Sequence, residues 1–278
     1  MKLACELPGE HGVALSLWDC SELARQLEAE RLVDHISAET VRRVLAANAL
    51  KPWRCHSWLS AKVPRDAAFA TAVSEISDLY TRPLAAHEVV LCMDEKTSIQ
   101  PRQRAAPTRP AAAGRPVQVE QEYKRDGALN LFAAFDTRTG AVTGWNAERK
   151  RAQECVAFLD LLDARLAPEI TVVHVVLDNL GVHKSKAVMA WLARHPRFIF
   201  HFPPVHCSWM NQVEQWFSIL QRKALRCPDF PGLLALDRHL HRFIEHWNGF
   251  AHPFNWTSKS IAKVMAKCAA AEALPDAA

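Results

Sequence analysis

The chain has 278 residues, of which 49% are hydrophobic and 23% are charged. This length and apolar content provide a large buried core and exclude a disordered or collagen-like protein. No apolar run approaches the roughly 20 residues that span a bilayer, so we expect no membrane association. The first residues include acidic side chains and prolines too early for a secretory signal.

The eight cysteines are scattered along the chain, and no C-x-x-C pair occurs. A disulfide framework or a structural zinc site would require regular or clustered cysteines. Several of these residues lie within apolar runs, where a thiol behaves as a small hydrophobic group. We therefore expect a cytoplasmic protein with reduced thiols.

The formal net charge of +4 conceals an uneven distribution of charge along the chain. Residues 49–65 carry a charge of +4 without any acidic residue, and residues 101–125 also carry +4. Residues 179–226 carry +6, and Glu214 is the only acidic residue among them. Such blocks indicate a polyanionic partner, although ordinary surface charge produces the same pattern.

The N-terminal region contains two short amphipathic patterns after a stretch at residues 1–16 that is predicted to be a loose leader. Ser21 is a plausible N-cap for the first helix, and Ser37 for the second. The second helix carries Arg42 and Arg43. A helix-turn-helix that binds DNA fits this pattern, and so does an ordinary helical hairpin.

The remaining elements alternate between helix and strand. Apolar runs and turn residues predict strands at 89–93, 117–123, 129–136, 141–146, 171–177 and 198–202, with a loop at 101–116. Apolar residues that recur every three or four positions predict helices at 66–80, 152–166, 185–194 and 209–225. Antiparallel strands followed by alternating helix and strand predict a mixed α/β sheet with flanking helices.

Three carboxylates occupy positions that suit catalysis. Asp94 and Asp178 each follow an apolar strand, where rigid supports present side chains to a crevice, although aspartate there is more often a turn former or a cap. Glu214 is predicted to share a polar helix face with Asn211 and Ser218. An acidic side chain surrounded by basic residues is typical of a metal ligand beside a bound phosphate backbone.

The chemistry of these ligands predicts the metal. Hard carboxylate oxygens on two strands and a helix can hold two Mg²⁺ ions, for which Mn²⁺ is expected to substitute. No glycine-rich phosphate loop and no H-E-x-x-H motif offers a competing site. His183 and His206 could support such a site or contact phosphate, although histidines at such positions more often have structural or surface roles.

Three motifs resemble those of bacterial insertion-sequence DDE transposases of the mariner-related superfamily, of the IS six-thirty type. Asp94-Glu95-Lys96-Thr97 resembles the first-aspartate motif, and Asp178-Asn179 with His183 resembles the second. The third resembles the N-x-x-E-x-x-F-S helix and comprises Asn211, Glu214, Phe217 and Ser218. Thirty-five residues separate Asp178 from Glu214, a spacing similar to that of this group.

The resemblance implies an RNase H-like catalytic domain preceded by a small all-α helix-turn-helix domain. On this basis residues 1–50 form the helix-turn-helix region and 51–85 a basic linker and connecting helix. Residues 86–256 form the catalytic domain, and 257–278 a C-terminal helix or tail. Members of the group usually carry two helix-turn-helix units, so we expect the first region to be incomplete.

The resemblance also implies a reaction: Mg²⁺-dependent cleavage at transposon ends, followed by strand transfer into target DNA. Asp94, Asp178 and Glu214 are then the catalytic metal ligands. Glu95, Asn179, His183 and Asn211 are supporting residues. The implied partners are double-stranded DNA, namely terminal inverted repeats and a TA-containing target, and a second copy of the chain.

Contacts with DNA are expected from the basic segments. The predicted residues are Arg42, Arg43, Lys51, Arg54, Arg102, Arg104, Arg109, Arg115, Arg222 and Lys223. Two other functions remain open from the sequence. The chain could be a decayed or truncated transposase that only binds DNA, or an RNase H-like structure-selective nuclease.

Overall fold

The computed structural model describes residues 1–55, 67–205 and 207–256. The chain divides into two compact units, Met1–Ser60 and Ala61–Ala278. Most of the basic linker, His206 and the predicted C-terminal helix or tail lie outside the described residues. None of the helices within the described ranges is both long and apolar enough to cross a membrane.

The first unit is a small helical cluster. Its helices are α1 (Lys2–Cys5), α2 (Cys20–Ala29) and α3 (Ala38–Ala47), with a 3-10 turn at Pro8–His11. Their shared core consists of Leu3, Trp18, Leu23, Ala24, Val41 and Leu45. The two predicted helices are therefore present, and the spacing of their apolar residues explains how they pack.

Two details of this unit differ from the sequence prediction. The loose leader at residues 1–16 was wrong, because α1 inserts Leu3 into the core and Trp18 donates a hydrogen bond to the Glu6 carbonyl. Asp19, rather than Ser21, caps α2 by accepting from the Glu22 N–H. Ser37 caps α3 as predicted.

The second unit is built on a five-stranded mixed sheet in the order β5-β4-β1-β6-β7. Its strands are β1 (Glu88–Ile99), β4 (Leu129–Asp136), β5 (Val142–Ala147), β6 (Val172–Val176) and β7 (Phe198–His201). A separate pair consists of β2 (Gln103–Arg104) and β3 (Tyr123–Lys124). The helices are α4 (Ala67–Thr81), α5 (Ala152–Arg165), α6 (Lys186–Arg194), α7 (Val213–Lys223) and α8 (Leu233–Asn248).

Strand β1 is the centre of this sheet, antiparallel to β4 and parallel to β6. Its side chains alternate between two cores, as the two-residue period of a strand requires. Val90 and Cys92 pack with residues of α4, α7 and α8 on one face. Leu91 and Met93 pack with residues of α5 and α6 on the other. The predicted mixed α/β sheet with flanking helices is confirmed.

The predicted strand at 117–123 was wrong except at its end. Tyr123 and Lys124 pair with Arg104 and Gln103, and Gln118 forms only an isolated bridge with Arg109, in the excursion between β1 and β4. Val117 is 52% exposed, so the apolar alternation in this segment has no core to face. Helix α8, which the sequence prediction lacked, covers the sheet with Leu236, Leu240 and Ile244.

Gly140 is the turn residue at which a side chain would be most damaging. Its φ of +77° lies in the left-handed region, and an added Cβ would lie 2.1 Å from the backbone oxygen of His252. We expect Gly140→Ala to lower the free energy of unfolding by at least about 3 kcal/mol, because backbone strain and a clash add together.

Gly114→Ala is the matched control for this prediction. Gly114 has a similar φ of +70°, but nothing lies within 4 Å of an added Cβ. Strain alone should then cost about 1 kcal/mol. Urea unfolding of both variants measures the difference. Equal losses would show that the contact with His252 contributes nothing.

Candidate active site

The register of two parallel strands brings the predicted aspartates together. Cys92 of β1 lies opposite Val176 of β6, so two further residues along each chain place Asp94 alongside Asp178. Cys92 and Val176 both belong to the core on the α7 face. The two-residue period of strands therefore directs Asp94 to the face that α7 covers.

Asp94 is held in a buried and polar environment. It is 8% exposed and accepts hydrogen bonds from the Glu95 N–H at 2.7 Å and from Asn211 Nδ2 at 3.3 Å. Burial raises the pKa of Asp94 to about 7; the Glu95 N–H lowers it, and the nearby charges of Glu214 and Asp178 raise it. The three predicted carboxylates are thus close enough to repel one another.

Helix α7 presents the third carboxylate. Its apolar stripe of Val213, Trp216, Phe217 and Leu220 packs into the core and fixes the helix beside β1. Glu214 lies in the first turn. Burial raises the pKa of Glu214, whereas the charge of Lys96 lowers it and that of Asp178 raises it.

The helix that carries Glu214 begins later than predicted, so Asn211 precedes it instead of lying on its polar face. A 3-10 turn at Ser208–Met210 precedes α7, which begins only at Val213. Asn211 is therefore 1% exposed, and its Nδ2 donates to the Met93 carbonyl at 2.9 Å as well as to Asp94. This amide ties the start of α7 to the end of β1.

A buried histidine connects the two aspartate motifs on the opposite face of β1. Glu95 follows Asp94, so its side chain points to the α5 side, where it is 4% exposed. His183 donates from Nε2 to Glu95 at 3.0 Å and from Nδ1 to Asp178 Oδ1 at 2.9 Å. Burial lowers the pKa of His183, but its bonds to Asp178 and Glu95 raise it to about 10.

The hydrogen bond from His183 also fixes the charge of Asp178. It lowers the pKa of Asp178. Burial raises this pKa, and the hydrogen bond from the Leu180 N–H lowers it further. Asn179 shapes the same turn, because its Nδ2 donates to the Pro203 carbonyl and its Oδ1 accepts from Lys184. The second motif is therefore held in place by contacts on both sides.

The donors on the α7 face fit Mg²⁺ or Mn²⁺. They are three carboxylates, two of which raise the pKa of Asp94 through their charges, and beside them the buried Oδ1 of Asn211 has no hydrogen-bond partner. Hard divalent cations prefer such oxygen ligands. The three carboxylates therefore fit a divalent cation on this face.

A second cluster has three potential ligand atoms within 4.8 Å of one another, from Glu95, Cys155 and His183. It does not fit a metal, because both ring nitrogens of His183 are engaged with carboxylates. Burial also raises the pKa of Cys155 to about 12, so the thiol stays protonated. The contacts of His183 suit this cluster to positioning Asp178.

The predicted DNA-contacting residues are mostly exposed. The exposed side chains are Arg42, Arg43, Lys51, Arg54, Arg102, Arg109, Arg115, Arg222 and Lys223. Two of them, Arg42 and Arg43, pair with Glu39 on α3. Arg104 is different, since its guanidinium donates to the carbonyls of Pro228 and Glu120.

Two lysines near the carboxylates were not among the predicted contacts. Lys96 interacts electrostatically with Glu214, and Lys150 with Asp178. Lys96 could have been found, because it lies two residues beyond Asp94 and shares its face of the strand. Lys150 belongs to an exposed run of charges that carries no distinguishing sequence signal.

Comparison with known proteins assigns this site to a class. Residues 89–235, which contain Asp94, Asp178 and Glu214, match the family described as DDE superfamily endonuclease. A 39 kDa protein of insertion element IS630 from Shigella sonnei, itself described as uncharacterized, is 27% identical over 254 residues. The alignment covers 88% of this chain and 70% of that protein.

Solved structures share the fold. A pre-cleavage Mos1 transpososome aligns with a TM-score of 0.54 at 16% identity, covering 96% of this chain and 77% of that one. The Mos1 mariner paired end complex with Mn aligns with a TM-score of 0.54 at 15% identity, covering 88% and 70%. The sheet therefore has the RNase H-like architecture predicted from the resemblance.

Proposed function

Because the chain belongs to the DDE superfamily endonuclease family, we propose that it is a transposase. It cleaves DNA at the ends of its element and joins the freed 3′-hydroxyl to target DNA. The observation that carries this proposal is the convergence of Asp94, Asp178 and Glu214 on the α7 face of the central strand. The comparison with an insertion-element protein supports it.

Asp94, Asp178 and Glu214 would hold two Mg²⁺ ions, for which Mn²⁺ substitutes. Bound there, the ions activate the attacking oxygen and stabilise the leaving oxygen of the phosphodiester. Asn211 fixes Asp94 by donating to its carboxylate, and His183 fixes Asp178 in the same way. Glu95 supports His183, and Asn179 supports the turn that carries Asp178.

The other predicted regions have roles in this proposal. Residues 1–50 would bind DNA through Arg42 and Arg43, with residues 51–85 as a basic linker that includes Lys51 and Arg54. Residues 86–256 would form the catalytic domain, and 257–278 a C-terminal tail. The exposed arginines at 102, 109 and 115, together with Arg222 and Lys223, would contact phosphates of DNA held by a homodimer.

The test uses the purified full chain and a DNA duplex that carries the inverted repeats flanking its gene. We expect strand nicking at the repeat ends with Mg²⁺ or Mn²⁺ and none in a chelator. Binding without cleavage under every condition would contradict the proposal and favour a DNA-binding regulator. Cleavage that ignores the repeats would favour a structure-selective nuclease.

Metal binding should depend on pH through Asp94. Its pKa of about 7 means that a proton occupies this ligand below neutral pH. As the pH rises toward 7, we expect the Kd for Mn²⁺ to fall by about tenfold per unit, and to level off above 7.

Titration of the full chain with Mn²⁺ between pH 5.5 and 8.5 checks this dependence, with circular dichroism confirming the fold at each pH. A Kd that is constant across the range would show that no ligand titrates there. A Kd that rises with pH would contradict the sign.

A further inference from the structure

A small polar cavity lies at the end of β1, beyond the carboxylates. Its volume is about 130 Å³, and its lining includes Lys96, Ser98, Arg102 and Gln221. Two of the described lining residues are cationic and none is acidic. A cavity of this composition is suited to an anion.

The backbone around this cavity is irregular. The pairing of β1 with β4 shifts between Lys96 and Ile99, and Ser98 and Arg102 have φ values of +56° and +50°. Residues other than glycine rarely adopt this conformation, and it persists where neighbouring contacts enforce it. The bend brings Lys96 and Arg102 to one cavity although they lie six residues apart.

A buried amide holds the irregular end of β1, where its pairing with β4 shifts. Asn130 is 8% exposed, and its Oδ1 accepts from the Ser98 N–H at 3.2 Å. Its Nδ2 donates to the Glu148 carbonyl at 3.0 Å. The cavity wall is therefore built into the sheet.

Lys96 is the residue that indicates what the cavity binds. Its ammonium has no hydrogen bond and no ion pair within 4.0 Å among the described residues. Its side chain is partly buried, and the cavity leaves room for an anion beside it. A partly buried ammonium is stabilised by an anion that reaches it.

The position of the cavity relative to Asp94 indicates which anion it binds. Lys96 lies two residues from Asp94 along the strand, a distance of about 6.6 Å. Along the axis of a DNA duplex the phosphates of one strand are about 3.4 Å apart, so this distance lies within two nucleotides. We propose that the cavity binds a phosphodiester of the DNA backbone one or two nucleotides from the cleaved bond, with Lys96 and Arg102 as its contacts.

This inference rests on the proposed function only in taking DNA as the ligand. Its test therefore measures binding without divalent metal, so that no strand is cut. The probes are duplexes of the flanking inverted repeat, each with one backbone phosphate replaced by an uncharged methylphosphonate. Affinity is measured for the wild-type chain and for Lys96→Gln.

For the unmodified duplex, Lys96→Gln should bind about tenfold more weakly, and the salt dependence of its log affinity should decrease by about one unit. In the wild type, a methylphosphonate at the recognised position should weaken binding by about tenfold as well. In Lys96→Gln the same methylphosphonate should lower the affinity by less than about twofold, because the contact with Lys96 is already absent.

Two control variants and one substitute variant complete the test. Lys96→Arg keeps the charge and should keep the methylphosphonate penalty. Lys186→Gln, which removes an exposed lysine on α6, should also keep it. If Lys96→Gln does not fold, Arg102→Gln carries the same experiment.

A methylphosphonate penalty that is the same in Lys96→Gln and the wild type at every position would overturn the inference. Inorganic phosphate at constant ionic strength tests a free-anion site instead. If millimolar phosphate removes the difference between wild type and Lys96→Gln, the cavity binds free phosphate and the inference fails. If the methylphosphonate penalty depends on Lys96 in a chain that never cleaves DNA, the result would support phosphodiester binding in the cavity but contradict the proposed function.

Discussion

Replacing any one of the three carboxylates by its amide should abolish DNA cleavage. Asp94→Asn, Asp178→Asn and Glu214→Gln preserve size but remove a charged metal ligand. The loss of several kcal/mol of transition-state stabilisation corresponds to a rate at least about a thousandfold lower. Nicking of the repeat duplex with Mg²⁺ measures the rate, and a gel shift without metal should show unchanged binding.

Glu169→Gln is the matched control for the carboxylate variants, since it makes the same chemical change at an exposed position. It should cleave at the wild-type rate. If one of the three amide variants also retained that rate, the corresponding residue would not be a metal ligand. Loss of both binding and cleavage in a variant would instead indicate a folding defect.

Removing the histidine between the two aspartate motifs should weaken metal binding. His183→Ala deletes the donor to Asp178 and leaves Glu95 buried without a partner. Asp178 then loses the hydrogen bond that orients its carboxylate. Loss of such a hydrogen bond typically costs about 10- to 100-fold in metal affinity.

Mn²⁺ titration of the full chain measures this effect, and urea unfolding measures the accompanying loss of stability. His195→Ala is the control, because His195 stacks on Trp191 and contacts none of the three carboxylates. It should bind Mn²⁺ as the wild type does. Wild-type affinity in a folded His183→Ala chain would show that the histidine only fills space.

The fold was predictable wherever a local pattern also determines burial. Helix α5 and strand β4 lie where their apolar spacing places them, since both contribute buried side chains to the core. The segment at 117–123 has the alternation of a strand but faces solvent, and only tertiary context reveals this. Helix α8 was missed although its apolar residues have helical spacing.

The site was predictable from motifs, and its geometry was not. The resemblance to insertion-sequence transposases, drawn from Asp94, Asp178 and Glu214 with their neighbours, is confirmed by the family match. The roles of those residues in this chain stay predictions. No sequence pattern could place His183 between Glu95 and Asp178, because that contact joins residues 88 positions apart. Lys96 could have been found from its position two residues beyond Asp94, but its place in a cavity with Arg102 could not.

Strand transfer tests the central claim most directly. A repeat duplex with a pre-cut 3′-hydroxyl end is incubated with the full chain, Mg²⁺ and a supercoiled target plasmid. We expect joined products that require the metal and disappear in Asp94→Asn, Asp178→Asn and Glu214→Gln. Nicked plasmid without joined DNA, or joining that persists in those variants, would contradict it.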